Sequence, residues 1–189
     1  MIKVIAEHFE YDKYFKVKKG LVEHSFDDGR VEKYSRLKLV RPDAVCVLLY
    51  NEDTDNIILT KQFRYPIFYR QDQDDYILEA VAGKIDLNES PEEAAQREVL
   101  EEVGYRIDKH FLIGPIYFYA SPGYSSEKIY CYFAFVRNSM KDENFGGGLE
   151  SEYEEIEIVE IKRYDFCEMI ENNKIIDGKT IIASTMLNG

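Results

Sequence analysis

The sequence predicts an α/β/α sandwich built on a mixed β-sheet, with a β-rich extension in front of it. Three observations lead to that class. A helix near the middle of the chain carries explicit start and stop signals, apolar runs of strand length stand on both sides of it, and two further helical segments close the chain. With 189 residues and 45% hydrophobic content, there is enough apolar material for a substantial core.

From the N-terminus, roughly the first forty residues alternate apolar and polar about an Asp27-Asp28-Gly29 turn. Phe15-Lys16-Val17 and Leu21-Val22 lie before the turn and Val31 after it, a β-rich pattern. Pro42 marks a break, so the expected organisation is an arm over residues 1–41 and a larger domain over 42–189. The unbroken run Ala44-Val45-Cys46-Val47-Leu48-Leu49-Tyr50 predicts a buried strand, residues 51–56 a polar turn, and residues 57–63 its hairpin partner. Further strands are expected at 76–82, 116–119, 129–136 and 156–161, with helices over 164–172 and after Asp177-Gly178. No internal repeat or low-complexity linker interrupts this order.

The central helix is placed by its ends. Ser90-Pro91-Glu92-Glu93 supplies a capping serine, a proline where no amide hydrogen is needed, and a glutamate three residues after the cap. Gly104 suits a left-handed stop. At roughly 100° per residue, Glu98, Glu101 and Glu102 share one face, next to an apolar stripe of Ala95, Val99 and Val103. Like charges at these spacings repel by roughly 0.2–0.5 kcal/mol per pair, and they stand toward the negative end of the helix dipole. Something positive must compensate them. Arg97 supplies one charge, but a single guanidinium cannot satisfy every oxygen. An oxygen-only donor set without neighbouring His or Cys points to Mg²⁺ or Mn²⁺ rather than zinc.

The formal net charge of −12 argues against non-specific nucleic-acid binding. There is no apolar run of about 18 residues and no charged-then-apolar leader, so neither a membrane partner nor secretion is expected, and the cytoplasm is the expected location. Fifteen Tyr and eleven Phe predict an aromatic-rich interior, with a base-stacking role open to some of them. Cys46, Cys131 and Cys167 lack paired spacing and read as buried free thiols, while His8, His24 and His110 are isolated.

The segment from Gly83 to Tyr105 resembles the Nudix box, G-x5-E-x7-R-E-U-x-E-E-x-G-U with U aliphatic: Gly83, Glu89, Arg97, Glu98, Val99, Glu101, Glu102 and Gly104 match. Tyr105 departs from the final aliphatic position, which is a packing position in the family. The resemblance implies a Mg²⁺-dependent hydrolase of nucleoside diphosphate derivatives. It makes Glu98 and Glu102 metal ligands, Glu101 a ligand or close partner, and the Ala82 carbonyl a further ligand. Glu89 and Arg97 would hold the loop against the helix.

Features outside the box are similar to the ADP-ribose and GDP-mannose (nucleoside diphosphate sugar) pyrophosphatase branch: Gln62-Phe63-Arg64, Glu79, Ser121-Pro122-Gly123 with Glu127, the triple glycine 146–148, and Asp177-Gly178-Lys179-Thr180. By that likeness Arg64 takes a substrate phosphate, with Glu79, Ser121, Gly123 and Glu127 around the substrate. Taken alone, Arg64 fits a surface ion pair equally well, Ser121-Pro122-Gly123 an ordinary turn, and the triple glycine a flexible loop. The similar enzymes carry a water-activating glutamate on the acidic loop that follows, where Glu154 is the best match and Glu152 the second. The N-terminal arm resembles one through which two subunits embrace, giving a homodimer in which Tyr14 and Phe15 stack on a base across the interface or belong to a local core. The expected reaction splits a nucleotide sugar into a nucleoside monophosphate and a sugar phosphate. The alternatives are a non-cleaving sensor of a nucleotide sugar and a hydrolase of another derivative such as a dinucleoside polyphosphate.

Overall fold

The computed structural model describes residues 1–69, 75–149, 151, 153 and 155–188. The chain divides into two compact units, one formed by residues 1–43 with 119–128, the other by residues 44–118 with 129–189.

The first unit is an antiparallel meander of β1 (Ile2–Asp12), β2 (Lys16–Ser25) and β3 (Val31–Val40). Its β2–β3 turn is the Asp27-Asp28-Gly29 turn, where Gly29 takes φ 85°. Residues 119–128 join this unit through β3, as Leu39 donates its amide to Tyr124 O at 2.7 Å and accepts from Ser126 N at 3.0 Å. Every residue of β1 is exposed.

The second unit holds a seven-stranded mixed sheet. Its strands are β4 (Ala44–Asn51), β5 (Asn56–Phe63), β6 (Tyr76–Glu79), β7 (Val81–Lys84), β8 (Leu112–Tyr119), β9 (Lys128–Val136) and β10 (Glu157–Lys162). The main order is β10-β5-β4-β9-β8, with β6 on β5 and β7 on β4. β4 runs parallel to β9 and antiparallel to β5 and β7. The apolar run of β4 has its cause here, since both faces are covered. Val45, Val47 and Leu49 pack with Ala94, Ala95, Val99 and Val103 of α1 (Pro91–Val103). Cys46 and Leu48 pack on the opposite face with Phe166 of α2 (Arg163–Glu171) and Ala183 of α3 (Gly178–Ser184). The sandwich is therefore α1, sheet, then α2 with α3.

Two local expectations change. The single strand expected at 76–82 is two, because the Ala80 amide leaves the ladder to donate to Thr180 Oγ1 at 2.7 Å, and the chain passes from β5 to β4 across it. Cys167 is exposed, since Phe166 is the residue α2 buries; Cys46 and Cys131 are buried as expected. Tyr105 is buried, and its hydroxyl accepts from Asn51 Nδ2 at 3.3 Å, which is how an aromatic residue fits the aliphatic position. Among the described residues no helix is long and apolar enough to cross a membrane.

Candidate active site

α1 forms where its end signals place it. Ser90 Oγ accepts from Glu93 N at 3.2 Å, Glu93 Oε2 accepts from Ser90 N at 2.8 Å, and Gly104 closes the helix at φ 76°. With the apolar stripe against β4, the adjoining face carries Glu98, Glu101 and Glu102 beside the end of β7. Glu102 is 3% exposed and accepts from the Ala82 amide at 3.3 Å. A Cβ on Gly83 would overlap the Glu98 carboxylate, so only a glycine lets strand and side chain approach this closely.

Arg97 sits among these acids. Its Nε and Nη2 donate to Glu89 at 2.9 and 3.0 Å, and Nη1 is shared between Glu98 Oε1 at 2.7 Å and Glu101 Oε2 at 3.1 Å. Nη2 also reaches Lys84 O at 2.9 Å, tying the β7–α1 loop to the helix. The Glu89 hydrogen bonds, the largest influence, lift the Arg97 pKa far above normal, and Arg97 in turn holds Glu89 below the usual carboxylate range. Arg97 reaches more of the cluster than the sequence suggested, bonding Glu89, Glu98 and Glu101, while Glu102 accepts from the Ala82 amide. Among the described residues no three His, Cys, Asp or Glu side chains converge on a single ion position. Glu98 and Glu101 lean instead onto Arg97.

Arg64 and Glu79 are brought together on the strand ends beside this face. Arg64 Nε donates to Glu79 Oε2 at 3.0 Å, while Glu79 Oε1 faces Lys179 Nζ at 3.5 Å. Lys179 also pairs with Asp177 at 2.7 Å, and Asp177 accepts from Thr180 N at 2.9 Å and Thr180 Oγ1 at 2.7 Å. Burial alone would pull Arg64 and Lys179 down and push Asp177 up. The carboxylates around the two cations, and Lys179 beside Asp177, reverse each direction, so all three are held in their charged forms. The Glu102 charge also acts on Arg64, linking this network to α1.

The remaining expected residues divide. Ser121 and Gly123 lie in the 119–128 segment of the first unit, where Ser121 O accepts from Tyr124 N at 3.1 Å and Ser125 N at 2.9 Å. Glu127, in the same segment, pairs with Arg41 at 3.4 Å. Tyr14 is 82% exposed and edge-on to Phe15, 5.0 Å between ring centroids. Glu152 and Glu154 lie outside the described residues. Arg41 and Lys179 were given no role by sequence reasoning; Lys179 stood in a quoted motif, but only the fold brings it to Glu79. The amides of Gly147 and Gly148 were also missed: they donate to the carbonyls of Glu102 and Glu101 at 2.9 and 3.1 Å.

Comparison with known proteins agrees with this architecture. A family model described as the NUDIX domain matches residues 40–181. The chain is 33% identical over 184 residues to a GDP-mannose pyrophosphatase of Pectobacterium atrosepticum, covering 96% of this chain and 91% of the relative. It is 31% identical over 181 residues to a GDP-mannose pyrophosphatase of Salmonella typhimurium, covering 96% and 92%. A crystal structure of an ADP compounds hydrolase superposes with a TM-score of 0.70 at 21% identity, covering 99% of this chain and 92% of that one, a likeness of fold.

Proposed function

The chain belongs to the NUDIX family and is a hydrolase, and from that premise we propose that it cleaves the pyrophosphate bond of a nucleoside diphosphate sugar of the GDP-mannose or ADP-ribose type. The products are a nucleoside monophosphate and a sugar phosphate. The carrying observation is the acidic face of α1 beside the end of β7, where Glu98 and Glu101, with Glu89 of the preceding loop, gather around the Arg97 guanidinium and Glu102 accepts from the Ala82 amide. The names of relatives about one third identical over nearly the whole chain support GDP-mannose as the first substrate to try.

The proposed cofactor is Mg²⁺, with Mn²⁺ as substitute, and the residues fit it. Every donor is a hard oxygen, and Gly83 leaves the Glu98 carboxylate room against the strand. Glu98, Glu101, Glu102 and the Ala82 carbonyl would hold the ion, which when bound neutralises phosphate oxygens and lowers the pKa of a coordinated water. Arg97 screens the mutual repulsion of the acids and pins the β7–α1 loop through Glu89. Arg64 offers a planar guanidinium to a substrate phosphate. Glu79 has both oxygens turned to Arg64 and Lys179, so its part is to aim Arg64. Ser121, Gly123 and Glu127 are kept as substrate contacts, and Glu154, then Glu152, as the residue that positions the attacking water.

A homodimer belongs to the same proposal. A lone three-stranded sheet exposing Ile2, Val4, Phe9, Tyr11 and Leu37 has apolar surface that a second copy would cover, with Tyr14 free to stack on a base there. The cytoplasmic location expected from the sequence is retained.

Incubation with Mg²⁺ and GDP-mannose, ADP-ribose, UDP-glucose or a diadenosine polyphosphate tests the reading. The expected products are a nucleoside monophosphate and a sugar phosphate, formed fastest from one of the nucleotide sugars. Ligand bound without any product favours the sensor, and preferential cleavage of the diadenosine compound overturns the substrate assignment.

A further inference from the structure

The C-terminal turn of α1 cannot satisfy itself. Gly104 N donates back to Leu100 O at 3.1 Å and Tyr105 N to Val99 O at 3.4 Å, the wrap of a Schellman-type end. The next amide, Arg106 N, leaves for Met140 O at 2.9 Å. The carbonyls of Glu101 and Glu102 therefore get no donor from the residues that follow them along the helix. They receive one from a segment more than forty residues on: Gly147 N donates to Glu102 O at 2.9 Å and Gly148 N to Glu101 O at 3.1 Å.

Gly146, Gly147 and Gly148 adopt φ values of 105°, 94° and 83°, a run of left-handed backbone that L side chains rarely adopt. A Cβ at Gly146 would also come within 3.3 Å of Gly104 N and Val103 C, so the run lies directly on the helix end. The segment is a fitted cap, not a slack linker. It satisfies the backbone of the two residues whose side chains stand on the acidic face, and it sets two N–H dipoles where the helix dipole is negative and carboxylates are crowded.

We propose that Gly147 and Gly148 are positioning residues for cation binding: their amides hold the last turn of α1, and so the backbone from which the Glu101 and Glu102 carboxylates would turn onto a divalent ion. This inference rests on the proposed reading of α1 as the metal-binding element. An unsupported last turn frays, and the Glu101 and Glu102 side chains move with it.

Gly147→Ala tests this without steric confusion, because the nearest atom to a Cβ there is Ile156 O at 3.9 Å and only the positive φ is penalised. Gly29→Ala is the matched control, with φ 85° and nothing within 4 Å. Binding of Mn²⁺ alone is read by electron paramagnetic resonance, together with hydrogen exchange at the Gly147 and Gly148 amides. The strain at Gly147 should weaken Mn²⁺ affinity by about three- to tenfold and speed exchange, while Gly29→Ala leaves affinity within about twofold. Gly147→Asn, better tolerated at positive φ, should recover part of the loss, and it decides the matter if the alanine variant does not fold. Equal Mn²⁺ affinity in the Gly147 and Gly29 variants overturns the proposal. Glu98→Gln and Glu102→Gln separate the two levels: if they too leave Mn²⁺ binding unchanged, the metal reading itself falls.

Discussion

Two clusters of charge stand beside each other in the larger unit, and they are built on opposite terms. Around Glu79, two carboxylates meet two cations: Arg64 and Lys179 face Glu79, and Lys179 faces Asp177. At α1, three carboxylates, Glu89, Glu98 and Glu101, meet the Arg97 guanidinium. The first cluster is matched, since each charge has an opposite partner inside the protein and the two carboxylates are buried more deeply than the cations, with Arg64 the most exposed. The second has a surplus of acid among the described residues, and it sits beside a strand end where a Cβ on Gly83 would displace the Glu98 carboxylate. A network of matched charges contributes to fold and orientation, whereas a helix face of hard oxygen donors has the chemistry to take up the proposed divalent cation.

The sharpest way to break that contrast is to remove the centre of the balanced network. Glu79→Leu takes the buried carboxylate from Arg64 and leaves Lys179 to Asp177, and breaking a buried ion pair from one side costs up to about 3–5 kcal/mol. For a chain of this size that ceiling corresponds to a fall in melting temperature of roughly 6–20 °C. Urea and thermal unfolding check it; an unchanged midpoint would mean that the network adds nothing to the fold.

The opposite pattern is expected on α1. Glu102→Gln keeps an oxygen for the Ala82 amide, so stability should stay within about 1 kcal/mol of the parent. Turnover of the best nucleotide sugar should fall by roughly a hundredfold or more, and the stabilisation that added Mg²⁺ gives to the parent should disappear. Steady-state kinetics with melting curves in and out of Mg²⁺ measure both. A variant that loses stability but keeps its turnover would reverse the assignment of the two clusters.

How much of this contrast could be read from the sequence follows from the range of the interactions. α1 was legible from its ends inward, because a serine cap, a proline, a glutamate reaching back and a terminal glycine are all local chemistry. The face of acids followed from helical periodicity alone, and the buried β4 from its unbroken apolar run. The balanced network was not legible: Glu79 and Lys179 lie a hundred residues apart, and only the passage of the chain from β5 to β4 at Ala80, anchored by Thr180, brings them together. The same long-range bond explains why one expected strand is two. The triple glycine was visible as composition but not as a cap, since nothing nearby in sequence says that its amides end on Glu101 and Glu102. Tyr105 shows the same limit, because its hydroxyl partner Asn51 comes from another strand.

The smallest expected effect sharpens the comparison by separating charge from geometry in the balanced network. Asp177 is both the counter-ion of Lys179 and the cap of α3, accepting from Thr180 N. Asp177→Asn keeps an acceptor for the cap and removes the charge, which should cost on the order of 1–2 kcal/mol at neutral pH. The sign with pH follows from the two shifts. Burial works against the Asp177 charge, but Lys179 and Thr180 hold its folded pKa below normal, so its contribution is present above the unfolded value near 3.9 and is lost as pH falls through the folded one. Lys179, raised in the folded state by Glu79 and Asp177 against its own burial, contributes fully below its unfolded value near 10.4 and loses that contribution only as pH rises through the higher folded one. The stability gap between parent and variant should therefore be constant from about pH 5 to pH 9 and close in acid, where the parent's Asp177 becomes neutral as well. Urea midpoints across that range measure the gap. A gap that persists unchanged in strong acid would assign Asp177 to capping alone and leave the Lys179 charge balanced by Glu79.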